Sequence, residues 1–344
     1  MFEFESIAVL RRFPGLALLI LFIVLFAMFS VFARRFLSAA NIEDLLAGYS
    51  FMAILAIGQA FPIIARGVDL SVGSNVGLGA MILFDLNAIF GVPGYAAIPL
   101  AIAACALAGA LNGLLVTLLR LQPFVATLAT LAAYRGGVYA ISGRQLYPEF
   151  AMHSIRDPWI HSLEAYVDVG RSLGLGRLMK FPSIPLSFLI LICVATAAQI
   201  VLSRTRFGLD LKTVGGNREA AHLAGIAVNR IQVAAYTLSG FSAGLVAVIL
   251  VARFTTATEA AGTGMELTTI AAAVIGGVSL QGGTGNAFGP MLGAFLLGVI
   301  LIGLTLMGIS QFTQQILTGL ILLGAVLYDR TTWDHEQAAH ARNG

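Results

Sequence analysis

Charged side chains are scarce in this 344-residue chain, at 11% of all residues, whereas an average soluble domain carries roughly 25%. Lysine is almost absent, with Lys180 and Lys212 the two examples, while hydrophobic residues make up 58%. A soluble protein of this size could not cover its surface with so few charges. We therefore expect lipid to solvate much of the exterior.

Several functional classes are excluded by what is missing. A P-loop needs a lysine after glycine to reach the phosphates of ATP, and neither lysine follows a glycine. The net charge is only +3, with no basic stripe to neutralise a nucleic-acid backbone. Cys105 and Cys193 each lie in a long apolar run and are interpreted as buried thiols. Because no histidine lies in an apolar segment, we expect neither an enzyme nor a metal or cofactor site.

Long apolar runs dominate the rest of the sequence. A membrane-spanning helix needs about 20 apolar residues, and backbone groups in lipid must be satisfied within the segment. The sequence thus predicts an all-α polytopic membrane protein of about ten transmembrane helices, the eighth short enough to be a half-helix. The predicted spans are 13–33, 45–65, 70–90, 95–119, 124–142, 184–202, 231–251, 267–280, 287–306 and 312–328.

Basic residues set the predicted orientation. With the N-terminus inside, eleven basic residues fall in cytoplasmic segments and eight outside, a weak bias in the direction of the positive-inside rule. Arg34 and Arg35 fall on the outer side, against the rule. The sequence therefore predicts one transmembrane domain over 1–344. It has a long extracytoplasmic loop at 143–183, a cytoplasmic loop at 203–230 and a cytoplasmic tail at 331–344.

A weak internal repeat links two glycine-rich segments, 67–81 and 277–291. At an offset of 210 residues they share six identities, among them Gly67 with Gly277 and Gly73 with Gly283. Many transporters are built from two related halves with broken helices at matching positions. We therefore consider a pseudo-repeat of two halves, alongside chance similarity between glycine-rich segments.

The cytoplasmic loop contains a short helix pattern between glycines. Gly215 and Gly216 end the preceding segment, Asn217 can cap a new helix, and Gly225 can end it in a left-handed conformation. Small side chains within it would let another surface approach closely; they are Ala220, Ala221 and Ala224. This pattern predicts a docking element, and the alternative is an ordinary solvated loop.

The residues EAA-x-x-x-G at 219–225 resemble the coupling motif of ABC importer permeases. The wider pattern, TRFG at 205–208 followed by GGN-x-E-A-A at 215–221, is similar to that of ribose-type sugar permeases. That family also contains branched-chain amino-acid permeases. Further similar blocks lie in order along the chain at 67–74, 121–136, 270–289 and 314–330. The loop at 143–183 departs from the shorter, Gly- and Pro-rich loop expected there.

The resemblance implies the membrane subunit of a bacterial inner-membrane importer for a monosaccharide. Its implied partners are a cytoplasmic ABC ATPase, an extracytoplasmic sugar-binding protein and a second permease subunit, as a homodimer or heterodimer within lipid. The implied ATPase-coupling residues are Arg206, Gly208, Gly216, Asn217, Glu219, Ala220, Ala221 and Gly225. The alternatives are an ABC importer of branched-chain amino acids or another small polar solute, and a secondary transporter.

Polar residues within the apolar segments suggest a substrate path. Polar groups in a membrane are expensive and usually face the bundle interior, and sugars need hydroxyl and amide partners. The predicted path residues are Gln59, Asp69, Ser71, Asn112 and Thr127. For Asp69 a second interpretation stays open, because Arg66 at i−3 could pair with it structurally.

Overall fold

The computed structural model describes residues 14–143, 155, 157–167 and 183–343 of the chain. Within this part, nine helices are long and apolar enough to cross a membrane, which confirms the predicted all-α polytopic architecture. They are α1 (Pro14–Phe32), α2 (Ala39–Ile64), α3 (Val72–Phe84, continued by a π-helical turn at Asp85–Ile89), α4 (Gly94–Thr117), α5 (Pro123–Ser142), α7 (Leu186–Arg204), α10 (Val228–Phe254), α12 (Phe288–Leu306) and α13 (Gln311–Asn343).

Shorter elements connect the long helices. The predicted outer loop contains α6 (Pro158–His161), a 3₁₀ turn (Ser162–Glu164) and strand β1 (Tyr166–Val167), which pairs antiparallel with β2 (Ile184–Pro185). The predicted cytoplasmic loop contains α8 (Arg206–Gly216) and α9 (Arg218–Leu223). The predicted eighth span is the short helix α11 (Met265–Ile275).

Three helix ends differ from the sequence prediction. Helix α2 begins at Ala39 because the Ser38 hydroxyl caps it, accepting from Asn41 N at 3.4 Å; the polar residues of this first turn hid it from a search for apolar runs. Helix α11 ends at Ile275, where glycines follow. Helix α13 continues to Asn343, through the predicted tail, since no proline or glycine interrupts it there.

Glycines let the two most closely packed helices, α4 and α10, touch backbone to backbone. A Cβ on Gly109 would lie 2.9 Å from Gly240 Cα, and one on Gly113 would lie 2.6 Å from Val233 Cα. Small residues of this kind allow close van der Waals packing where lipid supplies no hydrophobic driving force. Helix α10 therefore lies at the centre of the bundle, while α1 and α13 lie at its periphery.

Helices α2 and α11 end in the same type of turn, which has a residue in the left-handed conformation and a backbone hydrogen bond that reaches five residues back. Arg66 has φ 65° and Gly67 N donates to Pro62 O at 2.8 Å; Gly277 has φ 85° and Val278 N donates to Ala273 O at 3.0 Å. This is the Schellman arrangement. Arg66 thus corresponds to Gly277, and the offset of 210 that aligns Gly67 with Gly277 is one residue short of the structural correspondence.

The predicted long outer loop is described in part, since residues 144–154, 156 and 168–182 lie outside the described residues. Asp157 fixes its helical segment to the N-terminal end of α4, with Oδ2 accepting from Gly94 N at 2.8 Å and from Asn87 Nδ2 at 3.3 Å. Desolvation raises the pKa of the Asp157 carboxyl, but hydrogen bonds, led by that from Gly94 N, outweigh it and hold the pKa below its ordinary value. The described helical segment of this loop is therefore seated on the bundle.

Candidate functional site

A buried carboxylate is the centre of a polar cluster inside the bundle. Asp69 lies in the connection between α2 and α3. Its Oδ1 accepts from Ser71 N at 3.0 Å, from Ser71 Oγ at 2.7 Å and from Asn112 Nδ2 at 3.2 Å. Its Oδ2 accepts from Ser239 Oγ at 2.8 Å. Four neutral donors from three parts of the chain therefore satisfy a side chain that would otherwise be costly to bury.

The backbone of the same connection is held by side chains of other helices. Gln59 of α2 donates through Nε2 to Asp69 O at 3.0 Å, and Thr127 of α5 donates through Oγ1 to Val68 O at 3.0 Å. Tyr134 of α5 donates to Ala108 O of α4 at 2.8 Å. We call Gln59, Asp69, Ser71, Asn112, Thr127 and Ser239 the Asp69 cluster; it joins α2, α4, α5 and α10.

The five predicted path residues all belong to this cluster, and each is completely buried. The geometry brings them together, but none of them faces an open channel in this conformation. Their role in the substrate path stays a prediction. Pairing of Asp69 with Arg66 is wrong: Arg66 is exposed, and residues 66–69 are not helical, so the i−3 relation does not bring the two side chains together.

Sequence reasoning missed Ser239, which completes the carboxylate's hydrogen bonds. A signal was present, because buried polar residues recur along α10 in steps of four, three and three: Gln232, Tyr236, Ser239 and Ser242. This spacing places them on one helix face. Asn75 of α3 was also missed; its Nδ2 donates to Cys105 O of α4 at 3.0 Å.

The predicted cytoplasmic loop begins with α8, which folds back closely on α7. The Thr205 hydroxyl caps α8, accepting from Gly208 N at 3.2 Å. A Cβ on Gly208 would lie 2.7 Å from Leu202 Cα. Glycine is thus required at 208 by the tight corner between the two helices, while Arg206 in the first turn is exposed.

The short helix α9 has the caps that the sequence predicts. Asn217 Oδ1 accepts from Ala220 N at 2.9 Å at its start. At its end Gly225 has φ 80°, and Ile226 N donates to Ala221 O at 3.0 Å, which completes a Schellman motif. The predicted helix between Gly216 and Gly225 is therefore confirmed, while its contact with an ATPase stays a prediction.

The solvent-exposed side of α9, called its outer face below, differs from the expected one. Ala221 is completely buried, packed in a small apolar cluster with Val214 of α8 and Val228 of α10. Its small size is explained by packing within this chain, so it is not part of the surface offered to a partner. The exposed residues of α9 are Arg218, Glu219, Ala220, His222 and Leu223.

Gly215 connects this loop to the connection that contains Asp69. A Cβ on Gly215 would overlap the Ile64 carbonyl oxygen and lie 2.6 Å from Gly283 N, and Gly283 N donates to that same carbonyl at 2.9 Å. The end of α8, the end of α2 and the loop after α11 therefore meet through backbone atoms. Gly216, which the sequence singled out, has no neighbouring atom within 4 Å of a Cβ.

Comparison with known proteins agrees with this architecture. Residues 41–326 match the family described as branched-chain amino acid transport system / permease component. The ribose import permease protein of Escherichia coli is 36% identical over 279 residues, which cover 81% of this chain and 82% of that one. The autoinducer 2 import system permease protein of an Enterobacter species is 35% identical over 278 residues, covering 80% and 75%. No solved structure matches the chain.

The bundle of apolar helices, matched by the permease family over most of its length, defines a multi-pass membrane protein of the permease class. More specifically, the chain belongs to the family of branched-chain amino acid transport system permease components, whose model spans most of its length.

Proposed function

We propose that this chain is the translocation subunit of a bacterial ABC importer for a monosaccharide or a similarly small polyhydroxylated solute. The observation that carries the proposal is its similarity, over four-fifths of its length, to permeases named for ribose and for autoinducer 2. The family description also names branched-chain amino acids, so an amino-acid substrate is the second candidate. An ABC ATPase would supply the energy, since the sequence has no P-loop of its own.

Transport of the solute is the direct test. The full chain, reconstituted in vesicles with its ATPase and binding protein, should accumulate labelled ribose or a related sugar only when ATP is present on the ATPase side. Labelled leucine added at the same concentration is the control for the second candidate. Accumulation of leucine without sugar would contradict the proposed substrate class, and sugar accumulation without the ATPase would contradict the importer class.

The ATPase contact is proposed at the outer face of α9. Leu223 is 82% exposed, which is unusual for a large apolar side chain on a cytoplasmic helix and suits insertion into a partner's groove. Asp157 and the outer loop lie at the opposite end of the bundle, where a binding protein would deliver the solute. A second permease subunit would pack against the peripheral helices.

A matched pair of substitutions tests the contact at α9. Leu223→Asp should abolish co-purification of the ATPase with the permease. Leu37→Asp makes the same change at a residue that is 60% exposed in the connection between α1 and α2, on the predicted outer side, and should leave co-purification intact. If both variants retain the ATPase equally, the outer face of α9 is not the docking site.

A further inference from the structure

We propose that the groove between the cytoplasmic ends of α4 and α10 binds an anionic phospholipid of the inner leaflet, with one acyl chain along the groove and the phosphate at Arg230. The groove has a volume of about 640 Å³. It is lined by the last turn of α4, the first three turns of α10 and Phe207 of α8. No role in transport or in ATPase docking is needed for this site.

The groove lies beside the contact between Gly113 and Val233, because its lining on α10 continues from Asn229 to Leu238, on both sides of Val233. At Gly113 the backbones touch, with Val233 Cα 2.6 Å from a Cβ placed there. At the end of the groove near the start of α10, the lining side chains are Leu118, Asn229 and Arg230. Leu114 and Leu118 are exposed on one wall, while Ala234 and Leu238 are half-buried on the other.

The lining favours a hydrocarbon chain over a polar solute. The two hydroxyl groups in the groove are satisfied within their own helices, Thr117 Oγ1 by Gly113 O at 2.8 Å and Thr237 Oγ1 by Val233 O at 2.8 Å. Neither wall therefore offers a sugar a free hydroxyl donor, and the other polar lining residues, Asn229 and Arg230, lie at the mouth of the groove. An exposed apolar groove at membrane depth is instead filled by lipid.

The length of the groove fits one leaflet. Arg230 and Leu238 are eight residues apart on α10, about 12 Å at 1.5 Å per residue. Half of a hydrocarbon core is about 15 Å thick. An acyl chain whose head group lies beside Arg230 would thus reach past Leu238 towards the middle of the bilayer.

The charge at the cytoplasmic mouth fits an anionic head group. Arg230 is exposed and has no ion pair with any residue that the structure describes. Beside it, Arg218 Nη2 lies 3.5 Å from Asn229 Oδ1, so a second guanidinium faces the same mouth. Arg120, at the end of α4, is also exposed. Glu219 is the one carboxylate in the adjoining depression that Arg218, His222 and Arg230 line. Basic pockets between transmembrane helices on the cytoplasmic side are typical sites for anionic lipids.

Native mass spectrometry of the purified full chain can test this site. The probes are palmitoyl-oleoyl phosphatidylglycerol, the phosphatidylcholine with the same acyl chains, and glycerol phosphate as a head group alone. Arg230→Gln should weaken binding of the first phosphatidylglycerol molecule to the protein about five-fold. This is the effect expected for one basic residue near an anionic lipid. Arg204→Gln removes an exposed arginine at the cytoplasmic end of α7, outside the groove, and should leave that binding unchanged.

A second pair tests the acyl chain. Ala234→Trp should fill the groove and reduce binding of both lipids, while Ala103→Trp, at an exposed alanine of α4 outside the groove, should not.

Three results would overturn the proposal: equal affinity for the two lipids, equal effects of Arg230→Gln and Arg204→Gln, or full competition by glycerol phosphate with no effect of Ala234→Trp. Loss of ATPase capture without loss of lipid in Ala234→Trp would identify a protein segment as the occupant instead.

Discussion

Replacing Gly215 with alanine should disrupt the contact between the cytoplasmic loop and the core of the bundle. The added Cβ would overlap the Ile64 carbonyl oxygen and lie 2.6 Å from Gly283 N. All of these neighbours are backbone atoms, so no flexible side chain can move aside. Either α8 shifts or the hydrogen bond from Gly283 N to Ile64 O is broken.

Two effects, overpacking and loss of a hydrogen bond, set the expected loss of folding free energy in Gly215→Ala. Overpacking by one or a few carbon atoms typically costs about 1–3 kcal/mol, and loss of a backbone hydrogen bond costs about 0.5–1.5 kcal/mol. Gly216 supplies a matched control, because a Cβ there has no atom within 4 Å and its φ is not positive. Gly216→Ala should be neutral or stabilising by about 0.4–1 kcal/mol, through reduced entropy of the unfolded chain.

Apparent melting temperature in detergent measures the difference. At about 2 °C for each kcal/mol in a large chain, Gly215→Ala should melt several degrees below the parent and Gly216→Ala at or above it. Uptake by the reconstituted importer should fall in the first variant and persist in the second. Equal melting temperatures and equal uptake for the two variants would refute the view that Gly215 joins the loop to the core.

Three further predictions follow from the same structure. Asp69→Leu should reduce the yield of folded permease, because the donors of Ser71, Asn112 and Ser239 would be left without an acceptor, at a folding cost of about 1–3 kcal/mol each. Asp69→Asn should fold and lose transport. Normal yield and transport of the leucine variant would contradict the cluster's importance. Gly225→Val should abolish uptake, since a β-branched residue at φ 80° is strained, while Gly225→Asn should retain most of it; the opposite order would contradict the cap. A cysteine placed at Ser162 should react with an impermeant reagent added outside and one at Arg218 should not, and the reverse pattern would overturn the topology.

Local signals were enough to predict the helices and the ends of α9. Asn217, the glycine at 225 and the apolar run lengths each act within a few residues of themselves. The Asp69 cluster depends instead on distant residues: Ser239 is 170 positions from Asp69, and no local pattern pairs them. The same limit explains the choice of Gly216 over Gly215, because both end α8 and only the fold decides which one meets Ile64.

The contacts from α9 to Asp69 form one continuous series. Ala221 packs α9 against α8, Gly215 seats α8 on the Ile64 carbonyl, and Gln59, one turn and a residue before Ile64, donates to the Asp69 backbone. The first and last contacts are made by buried side chains, which resist displacement because interiors are close-packed. The middle contact is made by backbone atoms of Gly215 and Ile64, beside a ring contact between Phe61 of α2 and Phe207 of α8 with centroids 6.5 Å apart. We therefore expect a rigid movement of α9 to reach α2 through Gly215, and we predict that a substitution there separates ATPase binding at the exposed face of α9 from solute movement past the Asp69 connection.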